Sequence, residues 1–138
     1  EKLTPASIKD NNRTSHQEMT ILVAEDYQSN YDLIEAMIGK IYKLVHAHDG
    51  MEAIIFYEQY KPDLILMDIK MPIMNGLDAT VIIRKKDKEL PIIMQTAYAF
   101  TADREKALEC GASEVLVKPI TLSALRTCLS RYLPKLVW

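Results

Sequence analysis

Five short apolar runs constrain this chain more than any other feature. They are Ile21-Leu22-Val23-Ala24, Lys43-Leu44-Val45-His46-Ala47, Leu64-Ile65-Leu66-Met67, Ile92-Ile93-Met94-Gln95 and Glu114-Val115-Leu116-Val117. Each is too short for a helix and is bounded by turn or polar residues, as at Lys61-Pro62-Asp63, Leu90-Pro91 and Asp49-Gly50, so each reads as a strand. Helical patterns separate them. Leu33, Ile34, Met37, Ile38 and Ile41 share one stripe, which Ser29 or Asn30 is placed to cap. A second helix runs from Met51 to about Gln59, with Ala53, Ile54 and Phe56-Tyr57 available for burial. A third runs from Asn75-Gly76 to about Lys86, burying Leu77, Val81 and Ile82. A fourth starts at the cap Thr101 and closes at Cys110-Gly111, and a fifth carries Leu122, Leu125, Leu129 and Tyr132 on one face. Near-continuous apolar strands joined by helices specify an α/β fold with a parallel sheet covered on both faces.

Composition narrows the function classes. The 138 residues suit one domain, placed at 19–138, after a polar stretch at 1–18 that reads as a linker or tail. The net charge of −2 provides no basic field for nucleic acid, and no run is long enough to span a membrane. Nothing at the N-terminus reads as a signal peptide, and Cys110 and Cys128 read as reduced, packed cysteines. Together these point to a cytoplasmic domain. The missing initiator methionine fits a piece of a longer chain.

The residues that follow the strands carry the chemistry. They are Glu25-Asp26, Asp68, Thr96 and Lys118. In a parallel sheet all strand C-termini lie on one edge, where open α/β sheets bind their ligands. Crowded carboxylates raise each other's pKa, a conflict that a hard divalent cation such as Mg²⁺ relieves. A lysine adds a phosphate-binding charge and a threonine a hydroxyl donor. A carboxylate is itself a competent nucleophile in phosphoryl transfer, and Asp68 is central in the group.

The segments Ile21-Leu22-Val23-Ala24-Glu25-Asp26, Asp68-Ile69-Lys70-Met71-Pro72-Ile73-Met74-Asn75-Gly76, Thr96-Ala97 and Lys118-Pro119, in that order at strand ends, resemble the receiver domain of two-component response regulators. The resemblance implies a flavodoxin-like doubly wound sheet of order 2-1-3-4-5 with five helices. It implies that Asp68 accepts a phosphoryl group from phosphohistidine on a histidine kinase or a histidine phosphotransfer domain. It implies that Asp26, Asp68 and the Lys70 backbone carbonyl ligate Mg²⁺, that Glu25 acts through a metal-bound water, and that Thr96 and Lys118 contact the phosphoryl group. It also implies a cis Lys118-Pro119 bond. Glu25 stands where many members have Asp. Val115 stands where they have a mobile aromatic, so either Tyr98 takes part of that role or the output face changes less. The Met71–Thr80 and Gln95–Ala99 segments look most like receivers fused to hybrid histidine kinases.

Other readings have weaker warrants. A stand-alone response regulator fits the same motifs. A Mg²⁺-dependent phosphohydrolase usually has a second Asp two residues after its nucleophile, and here that residue is Lys70. A fold that kept its shape and lost its chemistry is at odds with the complete acidic cluster. His46 and His48 read as surface or edge residues, and the methionines around Asp68 as packing. The basic end formed by Arg84, Lys85, Lys86 and Lys88 reads as a solvated helix terminus. Tyr98 and Phe100 read as packing, with partner docking as the second reading.

Overall fold

The computed structural model describes residues 19–98 and 101–134, apart from the Thr101 side chain. The stretch read as a linker, 1–18, lies outside the described residues, as do Phe100 and the capping group assigned to Thr101. The five strands are β1 (Thr20–Ala24), β2 (Lys43–Ala47), β3 (Leu64–Asp68), β4 (Ile92–Thr96) and β5 (Glu114–Val117). The helices are α1 (Gln28–Ile38), α2 (Gly50–Tyr60), α3 (Gly76–Lys86), α4 (Thr101–Glu109) and α5 (Leu122–Tyr132). All strands pair in parallel in the order β2-β1-β3-β4-β5, the expected flavodoxin-like arrangement.

The sheet separates two cores. On one face, Ile21 and Val23, Leu64 and Leu66, and Ile93 meet Tyr31, Ile34 and Ile38 of α1 and Leu125, Cys128 and Leu129 of α5. On the other, Leu22, Ile65, Met67, Ile92, Met94 and Val115 meet the small residues Ala53, Ala79 and Ala107 and Ile83 from α2, α3 and α4. Every residue of β3 and β4 is buried. This follows from parallel pairing with both faces covered, where neither side of the pleat meets water.

Several helix faces differ from the periodic reading. Leu33, Val81 and Leu122 are exposed, while Tyr31, Thr80 and Cys128 are buried. Apolar spacing names a stripe, but the sheet against which each helix packs selects its rotation. The α1 cap is also corrected. Tyr27 occupies the N-cap and makes no side-chain cap bond. Asn30 lies inside the helix, with its amide directed at Glu25. Asp49, read only as a turn, caps α2 by accepting from the Glu52 amide. Asn75 caps α3 through the Asp78 amide, and Gly111 follows α4 at φ +114°. Both cysteines are free. Cys128 is fully buried, and burial pushes its thiol up to about 12.

Candidate functional site

The C-terminal ends of β1, β3 and β4 and the loop after β5 meet at one cleft of about 490 Å³. Asp26, Asp68, Lys70, Thr96 and Lys118 line it. Glu25 is fully buried beneath it. Thus the candidate metal and phosphoryl-site residues read from the sequence, Glu25, Asp26, Asp68, Lys70, Thr96 and Lys118, converge there. Strand register explains this. Ala24 pairs with Met67, and Asp68 pairs with Gln95, so the residues that follow leave the sheet side by side.

Asp68 Oδ2 accepts from Lys118 Nζ at 2.9 Å, and the same ammonium donates to Glu25 Oε1 at 3.1 Å. The other Glu25 oxygen accepts from the Tyr27 amide at 3.2 Å and from Asn30 Nδ2 at 3.3 Å. A carboxylate with no exposed surface needs such donors. Burial raises the Asp68 pKa from 3.8 to about 6, with Glu25 adding to the rise and Lys118 opposing it. Burial works against the charge on Lys118, but the bonds to Asp68 and Glu25 outweigh it and raise its pKa. The Lys118-Pro119 bond is cis, as anticipated.

Glu25, Asp26 and Asp68 each offer a carboxylate oxygen within 4.8 Å of the others. Asp26 Oδ1 is buried and has no hydrogen-bond partner among the described residues. An acceptor in that state requires a positive ligand or a donor, so this set fits a hard divalent cation. On the opposite rim, Thr96 Oγ1 accepts from the Tyr98 amide at 3.1 Å. The Tyr98 ring lies 5.3 Å from Lys70 Nζ, so the Lys70 ammonium is turned toward the aromatic ring. Val115 is packed in the core.

The profile of the family described as response regulator receiver domain matches residues 21–130. The chain belongs to that family. This receiver domain is 39% identical over 127 residues to hybrid signal transduction histidine kinase G of Dictyostelium discoideum, covering 88% of this chain and 4% of that protein. It superposes on the receiver domain of a Pseudomonas aeruginosa sensor histidine kinase with a TM-score of 0.77 and 36% identity. That match covers 83% of this chain and 96% of the other, whose cleft coordinates a magnesium ion. A Saccharomyces cerevisiae receiver, that of Ssk1 in complex with the phosphotransfer protein Ypd1, gives a TM-score of 0.79 at 25% identity over 85% and 90% of the two chains. The receiver domain spans between 4% and 13% of the length of several kinase relatives. Among its described residues no helix is long and apolar enough to cross a membrane.

The sequence reading missed Asp103, Tyr27 and Asn30 at this site. Asp103 lines the cleft from α4, and Tyr27 and Asn30 serve Glu25. No spacing rule pointed to them, because Asn30 and Asp103 reach the site only through the way α1 and α4 sit against the sheet edge, and Tyr27 through the turn before α1.

Proposed function

We propose that this receiver domain takes a phosphoryl group from phosphohistidine onto Asp68 in a Mg²⁺-dependent phosphorelay. The observation that carries the reading is the pairing of Asp68 with Lys118 beside the unpartnered Asp26 oxygen. A carboxylate oxygen of Asp68 forms the new P–O bond as the P–N bond of the donor imidazole breaks, and the departing imidazole takes a proton from water. Lys118, already within reach of Asp68, neutralises charge on the transferred group. Asp26, Asp68 and the Lys70 carbonyl would hold Mg²⁺, with Glu25 acting through water. When bound, the ion supplies positive charge against the phosphoryl oxygens. Thr96 would exchange the Tyr98 amide for a phosphoryl oxygen, where its hydroxyl becomes the donor. With Val115 in place of an aromatic ring, Tyr98 is the ring that this exchange disturbs.

The donor is a histidine kinase or a histidine phosphotransfer domain, and the domain works in the cytoplasm as part of a hybrid histidine kinase. The kinase relatives support that origin. Mass spectrometry after incubation with Mg²⁺ and a small phosphodonor tests the reaction. We expect one phosphoryl adduct on the wild type and none on Asp68→Asn. An adduct that survives the substitution overturns the assignment of the nucleophile.

A further inference from the structure

His46 read as an edge residue in the sequence, yet the structure gives it a place under the acidic site. It lies on β2, is half-buried, and has its Nε2 2.8 Å from the backbone carbonyl oxygen of Glu25. A carbonyl oxygen only accepts, so Nε2 carries the hydrogen and donates it. The ring is stacked on Tyr31 of α1 at 3.8 Å between centroids and 2° between planes. On its other side His48 lies 4.0 Å away, itself bonded to Glu52 through Nδ1 at 3.0 Å. The Glu25 amide donates to the Ala47 carbonyl at 2.9 Å. Both backbone polar groups of Glu25 are therefore tied to β2, one through a ladder bond and one through the imidazole.

We infer that His46 is a positioning residue for the acidic cluster. Its bond fixes the Glu25 carbonyl, and so the peptide that leads into Asp26, while the Tyr31 stack fixes the ring. The Glu25 carbonyl lies beyond the last ladder pair of β1 and β2, Ala24 with Ala47. There the regular strand bonds run out and a side chain takes over. Second-sphere groups of this kind orient ligands that they do not themselves replace. The inference rests on the proposed Mg²⁺ site, and the test separates the two.

His46→Phe keeps a ring against Tyr31 and removes the donor. His46→Gln keeps an amide donor of similar reach. Two readouts are taken on unphosphorylated protein: Mg²⁺ affinity by calorimetry, and amide hydrogen exchange at Asp26 and Tyr27 in the absence of metal. We expect His46→Phe to weaken Mg²⁺ binding by about threefold to tenfold and to speed exchange at both amides, and His46→Gln to restore both. Ile83→Val, a core change remote from this bond, controls for general loosening and is expected to leave both readouts unchanged. If His46→Phe matches the wild type in exchange, or if His46→Gln fails as badly as His46→Phe, the inference is overturned. A wild type that binds no Mg²⁺ overturns the proposed metal site instead, and the exchange readout then decides on His46 alone.

Discussion

Asp68 is held in a condition that costs stability. Its folded pKa of about 6 exceeds its ordinary 3.8. Between those values the folded chain binds more protons than the unfolded one, so stability falls as pH rises through that window. Above pH 6 the whole penalty is present, and below 3.8 it is absent. Asp68→Asn removes the charge at little cost in shape. We expect it to stabilise the metal-free domain at pH 7 by about 1–3 kcal/mol, with the gain vanishing toward pH 4. Thermal melts across that range measure it, and an equal gain at both ends contradicts the burial argument. Ile73 carries a second local cost. It is 81% exposed and sits at φ +69°, where a β-branched side chain is strained. Pro72 and Met74 close a tight turn around it, with Met74 N–H donating to the Pro72 carbonyl at 2.7 Å. Asn tolerates that region without the entropy cost of Gly. Ile73→Asn should therefore raise the denaturant midpoint, by about 0.5–1 kcal/mol in free energy.

At the scale of elements, the site depends on how strands end and helices begin. The β3–α3 loop must return close to its own origin, because the Gly76 amide donates to the Ile69 carbonyl at 2.8 Å. A Cβ on Gly76 would fall against the backbone carbonyl of Asp68, far inside contact distance. That neighbour is backbone and has no rotamer by which to yield. Gly76→Ala should destabilise the domain by about 2 kcal/mol or more and should displace the end of β3, reducing phosphorylation of Asp68 even in the folded fraction. Rates measured well below the melting temperature check this, and an unchanged rate would mean that the strand end absorbs the collision. The β4–α4 loop works differently. The Thr96 hydroxyl oxygen, the Tyr98 amide and the Lys70 ammonium form a chain across the cleft mouth. In the proposed reaction Thr96 would have to leave this contact to meet the phosphoryl group.

For the whole molecule, one sheet is shared by two cores, so packing lost on either face bears on the same strands. Leu129 packs at the end of α5 in the core with Ile21 and Ile93, and is 1% exposed. Leu129→Ala should cost about 2–5 kcal/mol by cavity formation. It should leave the phosphorylation rate of the folded protein unchanged, because Leu129 takes no part in the cleft lining. Denaturant titration and mass spectrometry on the same variant test both halves. The five strands and the residues at their ends were legible in the sequence. Short apolar runs alternating with helical patterns indicate a covered parallel sheet, and that topology gathers strand ends without help from spacing. Family resemblance supplied the order and the roles. What the sequence left open was rotation and reach. Leu33 and Val81 lie on apolar stripes yet face water, because a helix turns to suit the sheet beneath it. His46 beneath Glu25, Asn30 on its carboxylate and the unpartnered oxygen of Asp26 arise from contacts across 5 to 21 positions or from burial itself. One-dimensional periodicity carries no record of these, so the tertiary structure alone decided how the acidic cluster is held.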